Sequence, residues 1–409
     1  MSESDCSYHF QNILTCKIFL LRLFLLVIMN TLLLMLNKEI NSMQKFRNIY
    51  VAATSQHVGK TTSTLGLVST FMKKGLKVGY CKPVGQKFLD IQHLRVDKDT
   101  ILFADLINFE IVPELHSPVI LGPGATEMYL DSPESFDLDN ILINAEREMS
   151  RANEIVIYEG TGHPGVGSVA NVSNARVARL LNAGVVMIVE GGIGSTIDML
   201  NMTTALFREE NVPIIGVIIN KVHPDKMAKV KHYVGKWLEA NQLPLLGLMP
   251  YESKLAYPLI RTVAEAVMGV VTYNADFVDN KVESIIAGSL IDLKELKSSQ
   301  DLLLVVATRS INEAIRKIEF MAHNHGITNC PLSGIVATGE GQMDKHTIRY
   351  IEKNNLPLIR TELDTYGSVL RISKIEVKIN RSTPWKIKMA IDLIENNVNL
   401  NAIIEASKL

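Results

Sequence analysis

A glycine, a lysine and a threonine stand together where an apolar run gives way to a helical pattern. The run IYVAAT is followed by SQHVGKTT, and the helical pattern begins at about Thr61. In this context the backbone N–H groups of the loop converge on phosphate oxygens, and Lys60 neutralises the β and γ phosphates. The hydroxyl of Thr61 can hold Mg²⁺ beside them. The segment therefore predicts a phosphate-binding loop for a nucleoside triphosphate.

One position of this loop departs from the usual pattern. Ala53 stands where an opening glycine is common, so we expect the tight turn to be made with a Cβ present. The alternative, a chance Gly-Lys-Thr, is disfavoured by the strand before it and the helix after it. The residues predicted to bind the nucleotide are Thr54, Val58, Gly59, Lys60, Thr61 and Thr62.

A lysine and two aspartates lie near the ends of the next predicted elements. Lys82 follows the predicted strand 77–81, which puts a cation at the carboxyl edge of the sheet, where ligands bind in open α/β sheets. A strand-end lysine is otherwise simply solvated, and the nearby phosphate-binding loop is what favours a catalytic role. Asp97 and Asp99 begin a predicted helix, so either can be an N-cap or a Mg²⁺ ligand. We favour Asp99 as the ligand.

Two further strand ends carry polar residues. Glu159 ends the run IVIYE before the turn GTGH, which brings a carboxylate near Mg²⁺ and the γ-phosphate, although an acid in an exposed turn would look the same. His163 either contacts substrate or phosphate or simply lies in the loop, and we do not assign it as a base. Asn220 and Lys221 can hydrogen-bond to and stack on an adenine ring, but a turn asparagine has the same sequence. The predicted catalytic groups are Lys60, Lys82 and Glu159, and the predicted metal ligands are Thr61, Asp99 and Glu159.

These residues need a sheet that brings strand ends together. From residue 47 onward, apolar runs alternate with helical patterns, which is typical of a parallel sheet covered by helices on both faces. We predict an α/β fold with a doubly wound, mostly parallel sheet and a second, smaller α/β domain, and residues 121–132 (LGPGATEMYLDS) as a loop. Strands are predicted at 49–54, 77–81, 154–159, 184–190, 214–220, 245–249, 302–307, 332–338 and 356–361, and the main helices at 61–74, 173–182, 196–209, 226–241, 311–325, 345–353 and 384–396.

The pattern divides the chain into a leader at 1–42, a nucleotide-binding domain at 43–270, a linker at 271–300 and a second domain at 301–400. The leader contains an apolar run, 18–36, which is interrupted by Arg22 and is short for a membrane-spanning helix. It has no small-residue cleavage site of the secretory type. Three interpretations stay open: a membrane anchor, a secretory signal, or an artefact of start-codon choice with translation beginning at Met43.

The overall composition restricts the classes of partner. The formal net charge of the 409 residues is −1, which gives no electrostatic basis for binding nucleic acid. The four cysteines have neither metal-ligand spacing nor the density of a secreted disulfide framework. We therefore expect a cytoplasmic protein, where ATP is available, with a membrane as partner only if the leader is real.

The motifs VGKTT, KPVGQ, VDKD, YEGTGHPGVGSV, NKV and GLMPY occur in one order along the chain. This set resembles the dethiobiotin-synthetase-like P-loop proteins, and in particular the N-terminal half of long-form phosphotransacetylases, over residues 43–267. The resemblance implies ATP and Mg²⁺ at Lys60 and Thr61 and a substrate-side lysine at Lys82. It also implies acidic Mg²⁺ ligands at Asp99 and Glu159, a base-recognising asparagine at Asn220, and a homodimer.

The chain departs from the synthetases after Lys82-Pro83-Val84, where Gly85-Gln86 replaces a small residue and a serine. Residues 282–398 resemble the DRTGG domain, although its signature has drifted to Ala307-Thr308-Arg309 and Thr338-Gly339-Glu340. Because the chain stops where the acetyltransferase half would begin, we expect no transfer of acetyl groups to coenzyme A. The remaining hypotheses are a ligase-type enzyme that phosphorylates a carboxylate or carbamate for attack by an amine, a nucleotide-sensing regulatory protein, dethiobiotin synthetase itself, and a membrane-attached ATPase.

Overall fold

The computed structural model describes residues 47–86, 88–91, 94–288, 301–380 and 382–406. The predicted leader, 1–42, lies outside these residues. None of the helices in the described ranges combines the length and the apolar character that crossing a bilayer requires.

The described residues form strands and helices in regular alternation. The strands are β1 (Asn48–Ala53), β2 (Val78–Cys81), β3 (Val84–Gly85), β4 (Phe88–Ile91), β5 (Leu94–Asp97), β6 (Val119–Ile120), β7 (Ile155–Glu159), β8 (Ala183–Glu190), β9 (Ile214–Val222), β10 (Leu245–Pro250), β11 (Val270–Tyr273), β12 (Ser284–Ala287), β13 (Leu302–Ala307), β14 (Leu332–Thr338) and β15 (Leu358–Thr361). The α-helices are α1 (Lys60–Lys73), α2 (Lys98–Ile107), α3 (Pro113–His116), α4 (Ala125–Asp131), α5 (Leu138–Ala152), α6 (Asn174–Leu180), α7 (Gly194–Glu209), α8 (Met227–Ala240), α9 (Ile260–Ala266), α10 (Ile311–Asn324), α11 (Lys345–Lys353), α12 (Thr365–Ser373), α13 (Pro384–Asn397) and α14 (Leu400–Ala406).

The larger sheet has six strands in the order β10-β9-β8-β1-β7-β2. All its neighbouring strands pair in parallel. Every residue of β1 and β7 is buried, as expected for strands covered by helices on both faces. The mostly parallel α/β sheet predicted from the apolar runs is therefore confirmed.

The strand order decides which strand ends become neighbours. β7 lies between β1 and β2, with Val51 opposite Glu159 and Cys81 opposite Tyr158. Because all three strands run in the same direction, the residues that follow them meet at one carboxyl edge. The phosphate-binding loop, the Glu159 turn and Lys82 therefore share that edge.

A second sheet has five strands in the order β11-β15-β14-β13-β12. β12 to β15 pair in parallel, and β11 joins the edge in the antiparallel direction. Buried aliphatic side chains form a core on each of its faces.

The described chain separates into two compact units at boundaries other than 270 and 300. The first runs up to Pro250 and includes the residues from Ala390 onward, and the second is Tyr251–Met389. Most of β11 and all of β12 lie within the residues predicted to form a linker. Both are short edge strands flanked by polar residues, so the sequence shows no apolar run there. The C-terminal residues return to the first unit because Ile394 packs against Gly66 of α1, where a Cβ would collide with it.

Residues 121–132, predicted as a loop, contain the helix α4 instead. Gly124, with φ of 80°, starts this helix, and none of its residues is buried. A helix without a buried face has no strong apolar periodicity, so the pattern in the sequence could not reveal it.

Candidate functional site

The phosphate-binding loop runs from the end of β1 to the start of α1. Ala53 lies buried within β1, so the missing glycine causes no strain there. The positive backbone angles occur later, at His57 (φ 60°) and Gly59 (φ 102°). At Gly59 a Cβ would collide with the side-chain nitrogen of Asn220. Glycine is therefore required at this position for both its backbone angle and its lack of a side chain.

Lys60 and Thr61, at the start of α1, both contact the segment that follows β7. The Lys60 ammonium donates to the carbonyl oxygen of Gly162 at 2.8 Å. The Thr61 hydroxyl donates to Oε1 of Glu159, also at 2.8 Å. The structure thus joins the loop to the strand-end carboxylate across 98 residues of sequence.

Lys82 lies between two carboxylates. Its Nζ is 2.7 Å from Oδ2 of Asp99 and 3.4 Å from Oε1 of Glu159. Burial by itself lowers the pKa of Lys82, but the carboxylates, led by Glu159 and Asp99, together raise it by more, so the ammonium stays charged. Burial likewise raises the pKa of Glu159, and the Lys82 cation and the Thr61 hydrogen bond oppose that rise. The buried Lys82 and Glu159 and the half-buried Asp99 together form a charge cluster.

Asp97 and Asp99 have different roles. The Asp97 carboxylate accepts the backbone N–H of Asp99 at 2.9 Å and caps α2. Asp99, free of the capping role, faces Lys82. The N-cap of α2 is therefore Asp97, and the assignment of Asp99 as a Mg²⁺ ligand stays a prediction.

Asn220 supports the loop from the end of β9. Its side-chain nitrogen donates to the carbonyl of Val58 at 2.8 Å, and its side-chain oxygen accepts the N–H of Lys221 at 2.8 Å. Lys221 has a φ of 57° and points its ammonium to Glu190, 3.7 Å away. In this structure Asn220 positions the loop and Lys221 pairs outside the charge cluster, so contact of either residue with an adenine ring stays a prediction.

Two side chains around Glu159 were not identified from the sequence. The Tyr80 hydroxyl donates to Oε2 of Glu159 at 3.3 Å, and burial raises the pKa of Tyr80, which keeps it protonated as a donor. Asn174, at the start of α6, uses all of its amide to fix the turn after β7. It accepts from the hydroxyl of Tyr50 and the N–H of Thr161 and donates to the carbonyls of Thr161 and His163. The sequence offered only the asparagine of NVSNAR, which has no motif around it.

His163 is exposed at this turn, and its Nδ1 accepts the N–H of Gly165 at 3.2 Å. The His163 ring therefore forms a hydrogen bond within the turn that contains it. Thr54 and Val58 are buried in the loop, and Thr62 is half-buried in α1. The predicted residues that the structure joins in one hydrogen-bonded network are Thr61, Lys82, Asp99 and Glu159. Lys60 bonds to Gly162 in the turn that follows Glu159.

The oxygen donors of this network match the ligands that Mg²⁺ prefers. Two carboxylates, from Asp99 and Glu159, and the hydroxyl of Thr61 lie within one network and are hard oxygen ligands of the kind Mg²⁺ prefers. Within the described ranges no three His, Cys, Asp or Glu side chains gather into a cage for a metal ion. Two carboxylates and a hydroxyl suit a Mg²⁺ that arrives with phosphates, because such ions take one or two carboxylates and complete their coordination with phosphate oxygens and water.

The chain is similar in sequence to phosphate acetyltransferases. The chain is 25% identical over 370 residues to a phosphate acetyltransferase of Pseudomonas putida, covering 86% of this chain and 51% of that protein. It is 23% identical over 408 residues to the phosphate acetyltransferase of Haemophilus influenzae, covering 89% and 54%. The chain thus spans about half the length of the curated relatives it matches.

Among solved structures, the cell division protein MinD of Aquifex aeolicus matches 51% of this chain and 84% of its own, with 16% identity and a TM-score of 0.34. A plasmid partition protein of Borrelia burgdorferi matches 51% and 91%, also with 16% identity and a TM-score of 0.34. A family model described as AAA domain matches residues 47–258, which hold the whole phosphate-binding loop and the charge cluster. Since that match covers more than half of the chain, this P-loop protein belongs to the AAA domain family.

Proposed function

We propose that the first unit binds ATP together with Mg²⁺. The observation that carries this proposal is the network that links Thr61 of the phosphate-binding loop to Glu159, Lys82 and Asp99, with the Lys60 ammonium bonded to Gly162 in the turn that follows Glu159. Lys60 supplies positive charge for the β and γ phosphates, and the backbone N–H groups at the start of α1 point in the same direction. Thr61, Glu159 and Asp99 would hold the Mg²⁺, which neutralises phosphate charge when it is bound.

The nucleotide acts, in our proposal, as a signal that the chain senses. Support comes from Lys82, which has to face a substrate in a ligase but is buried here between two carboxylates. The similarity to phosphate acetyltransferases over most of this chain supports the same role, that of a regulatory part related to their N-terminal region. The second unit, with its DRTGG-like signature, would then respond to the bound nucleotide. We further propose that the protein is cytoplasmic and that it forms a homodimer.

A second candidate is a ligase-type enzyme that phosphorylates a carboxylate or carbamate. One observation favours it: Glu159 accepts the hydrogen bond of Thr61 directly beside the turn that holds Gly162 against Lys60. Phosphoryl transfer depends mainly on positioning and charge neutralisation, so this arrangement needs no further base. The most specific version of this second proposal is that the protein is a dethiobiotin synthetase.

Calorimetric titration of the full chain with ATP and Mg²⁺ tests the proposal. We expect binding in the wild type, a loss of at least about tenfold in affinity in Lys60→Ala, and no change in Lys74→Ala, which removes the exposed lysine that directly follows the other end of the same helix. Absence of binding to the wild type would contradict the proposal.

Phosphate release separates the two candidates. It is measured with ATP and Mg²⁺ alone and with diaminopelargonate plus bicarbonate or other carboxylates. Release that a carboxylate stimulates, and that Lys60→Ala abolishes, would establish the ligase. Binding without stimulated release is the outcome expected for a nucleotide sensor.

A further inference from the structure

The second unit contains a cavity of about 350 Å³ at the carboxyl ends of β12 and β13. Its size is at the lower end of small-molecule pockets, which are about 300 to 1,000 Å³. Val306 and Ala314 contribute apolar surface, and the polar side chains that line it are Ser310, Glu313, Lys317 and Thr365. The carboxyl edge of a parallel sheet is the place where ligands bind in open α/β folds.

The wall of this cavity is fixed by a set of short contacts between strand ends. The Thr308 hydroxyl donates to the carbonyls of Thr338 and Gly339 at 3.0 and 2.9 Å. The hydroxyl of Thr338 lies 3.0 Å from that of Thr365. Thr308, Thr338 and Gly339 belong to the drifted signature positions of the sequence, and no part of the nucleotide site uses them. Their contacts hold the cavity in shape without a ligand, which lowers the cost of binding one.

Two charges of α10 point into the cavity, and they differ from the other charges of the same helix. Arg316 pairs with Asp344, and Glu319 pairs with His346 at 3.1 Å. Glu313 and Lys317, one turn apart, line the cavity, and no described residue forms an ion pair with either of them. The cavity therefore presents one carboxylate and one ammonium that are available to a ligand.

We propose that this cavity binds a small α-amino acid with an uncharged side chain. The ligand's ammonium pairs with Glu313 and its carboxylate with Lys317, where the hydroxyls of Ser310 and Thr365 supply further hydrogen bonds. Its side chain lies against Val306 and Ala314. A purely anionic ligand is disfavoured because it would face the Glu313 carboxylate, and a purely cationic one because it would face the Lys317 ammonium. The site shares no residue with the nucleotide site of the first unit.

The test begins with the full chain and the twenty common amino acids, added singly in a thermal melting assay. Each amino acid that raises the melting temperature is then titrated by calorimetry beside its deaminated acid and its decarboxylated amine. We expect the amino acid to bind at least about tenfold more tightly than either analogue, because each analogue leaves one charge of the cavity unpaired.

The variants Glu313→Gln and Lys317→Gln locate the site. We expect each to weaken amino acid binding at least about tenfold, whereas the matched pair Glu352→Gln and Lys353→Gln, on the exposed surface of α11, leaves it unchanged. The proposal is overturned if no amino acid binds, if the deaminated acid or the amine binds as tightly as the amino acid, or if both cavity variants bind like the wild type.

Discussion

Both units place polar residues at the carboxyl ends of parallel strands, but the charged side chains at the two edges differ in burial and in ion pairing. At the edge of the first sheet, Lys82 and Glu159 are buried and already paired within the protein. At the edge of the second, Glu313 and Lys317 are exposed and have no ion-pair partner among the described residues. A buried charge destabilises the fold unless another protein group pairs with it, whereas an exposed charge is solvated by water until a ligand binds. Changes at the first edge should therefore affect folding as well as binding, and changes at the second edge binding alone.

The largest effect is expected from Glu159→Ala. It removes the carboxylate that meets Lys82, Thr61 and Tyr80, and it leaves a buried cation with Asp99 as its remaining carboxylate partner in the cluster. We expect the free energy of unfolding to fall by about 3 to 5 kcal/mol, as measured by urea denaturation. Glu148→Ala, which breaks an exposed ion pair with Arg151, serves as the control and should change it by less than about 1 kcal/mol. Equal effects of the two variants would remove the distinction between buried and exposed charges.

The next effect concerns the amide of Asn174. Asn174→Asp keeps the shape of the side chain but leaves the carbonyls of Thr161 and His163 without their donor. We expect a loss of about 2 to 3 kcal/mol in the free energy of unfolding, together with weaker binding of ATP, because the turn that carries Gly162 loosens. Urea denaturation and calorimetry measure the two quantities, and Asn144→Asp on the exposed face of α5 is the control. Wild-type stability in Asn174→Asp would show that the turn does not depend on this amide.

A buried lysine of the second unit extends the comparison, because no carboxylate in the described part of the chain pairs with it as Glu159 and Asp99 pair with Lys82. The Lys386 ammonium donates to the backbone carbonyls of Leu255 and Tyr257 at 2.9 and 2.6 Å. Burial lowers the pKa of Lys386 to about 8. Between that value and the ordinary lysine pKa the unfolded chain binds more protons than the folded one, so stability attributable to this group rises with pH.

We expect the wild type to gain about 1 to 2 kcal/mol relative to Lys386→Met when the pH is raised from about 7.5 to about 9.5. Urea denaturation at the two pH values measures the difference, and Lys388→Met, two residues further along α13, controls for the removal of a lysine. A difference that stays constant with pH would mean that Lys386 titrates normally.

The smallest effect on folding is expected from Glu313→Gln and Lys317→Gln. Each should change the free energy of unfolding by no more than about 0.5 kcal/mol in the absence of ligand, since both side chains are exposed. A loss comparable to that of Glu159→Ala would show that the second edge also depends on its charges for stability.

The elements predicted correctly from the sequence are those whose burial leaves a hydrophobic pattern. All six strands of the first sheet were predicted within about two residues, because strands covered on both faces appear as unbroken apolar runs. β11 and β12, each four residues long at an edge, and the exposed helix α4 carry no such pattern. The role of Asn174 could not be predicted for a related reason, because a buried asparagine with all its hydrogen bonds made has the same sequence signature as one in an exposed turn.

The sequence by itself determined the phosphate-binding loop and the class of fold. Gly59, Lys60 and Thr61 are consecutive, so the chemistry of the loop is encoded locally, and the apolar runs encode buried parallel strands. Only the tertiary structure decided the partners of these residues. Lys82 meets Glu159 across 77 residues, and Asn220 meets Val58 across 162. Such contacts depend on strand order and on which strand ends become neighbours, and no local pattern of side chains specifies these.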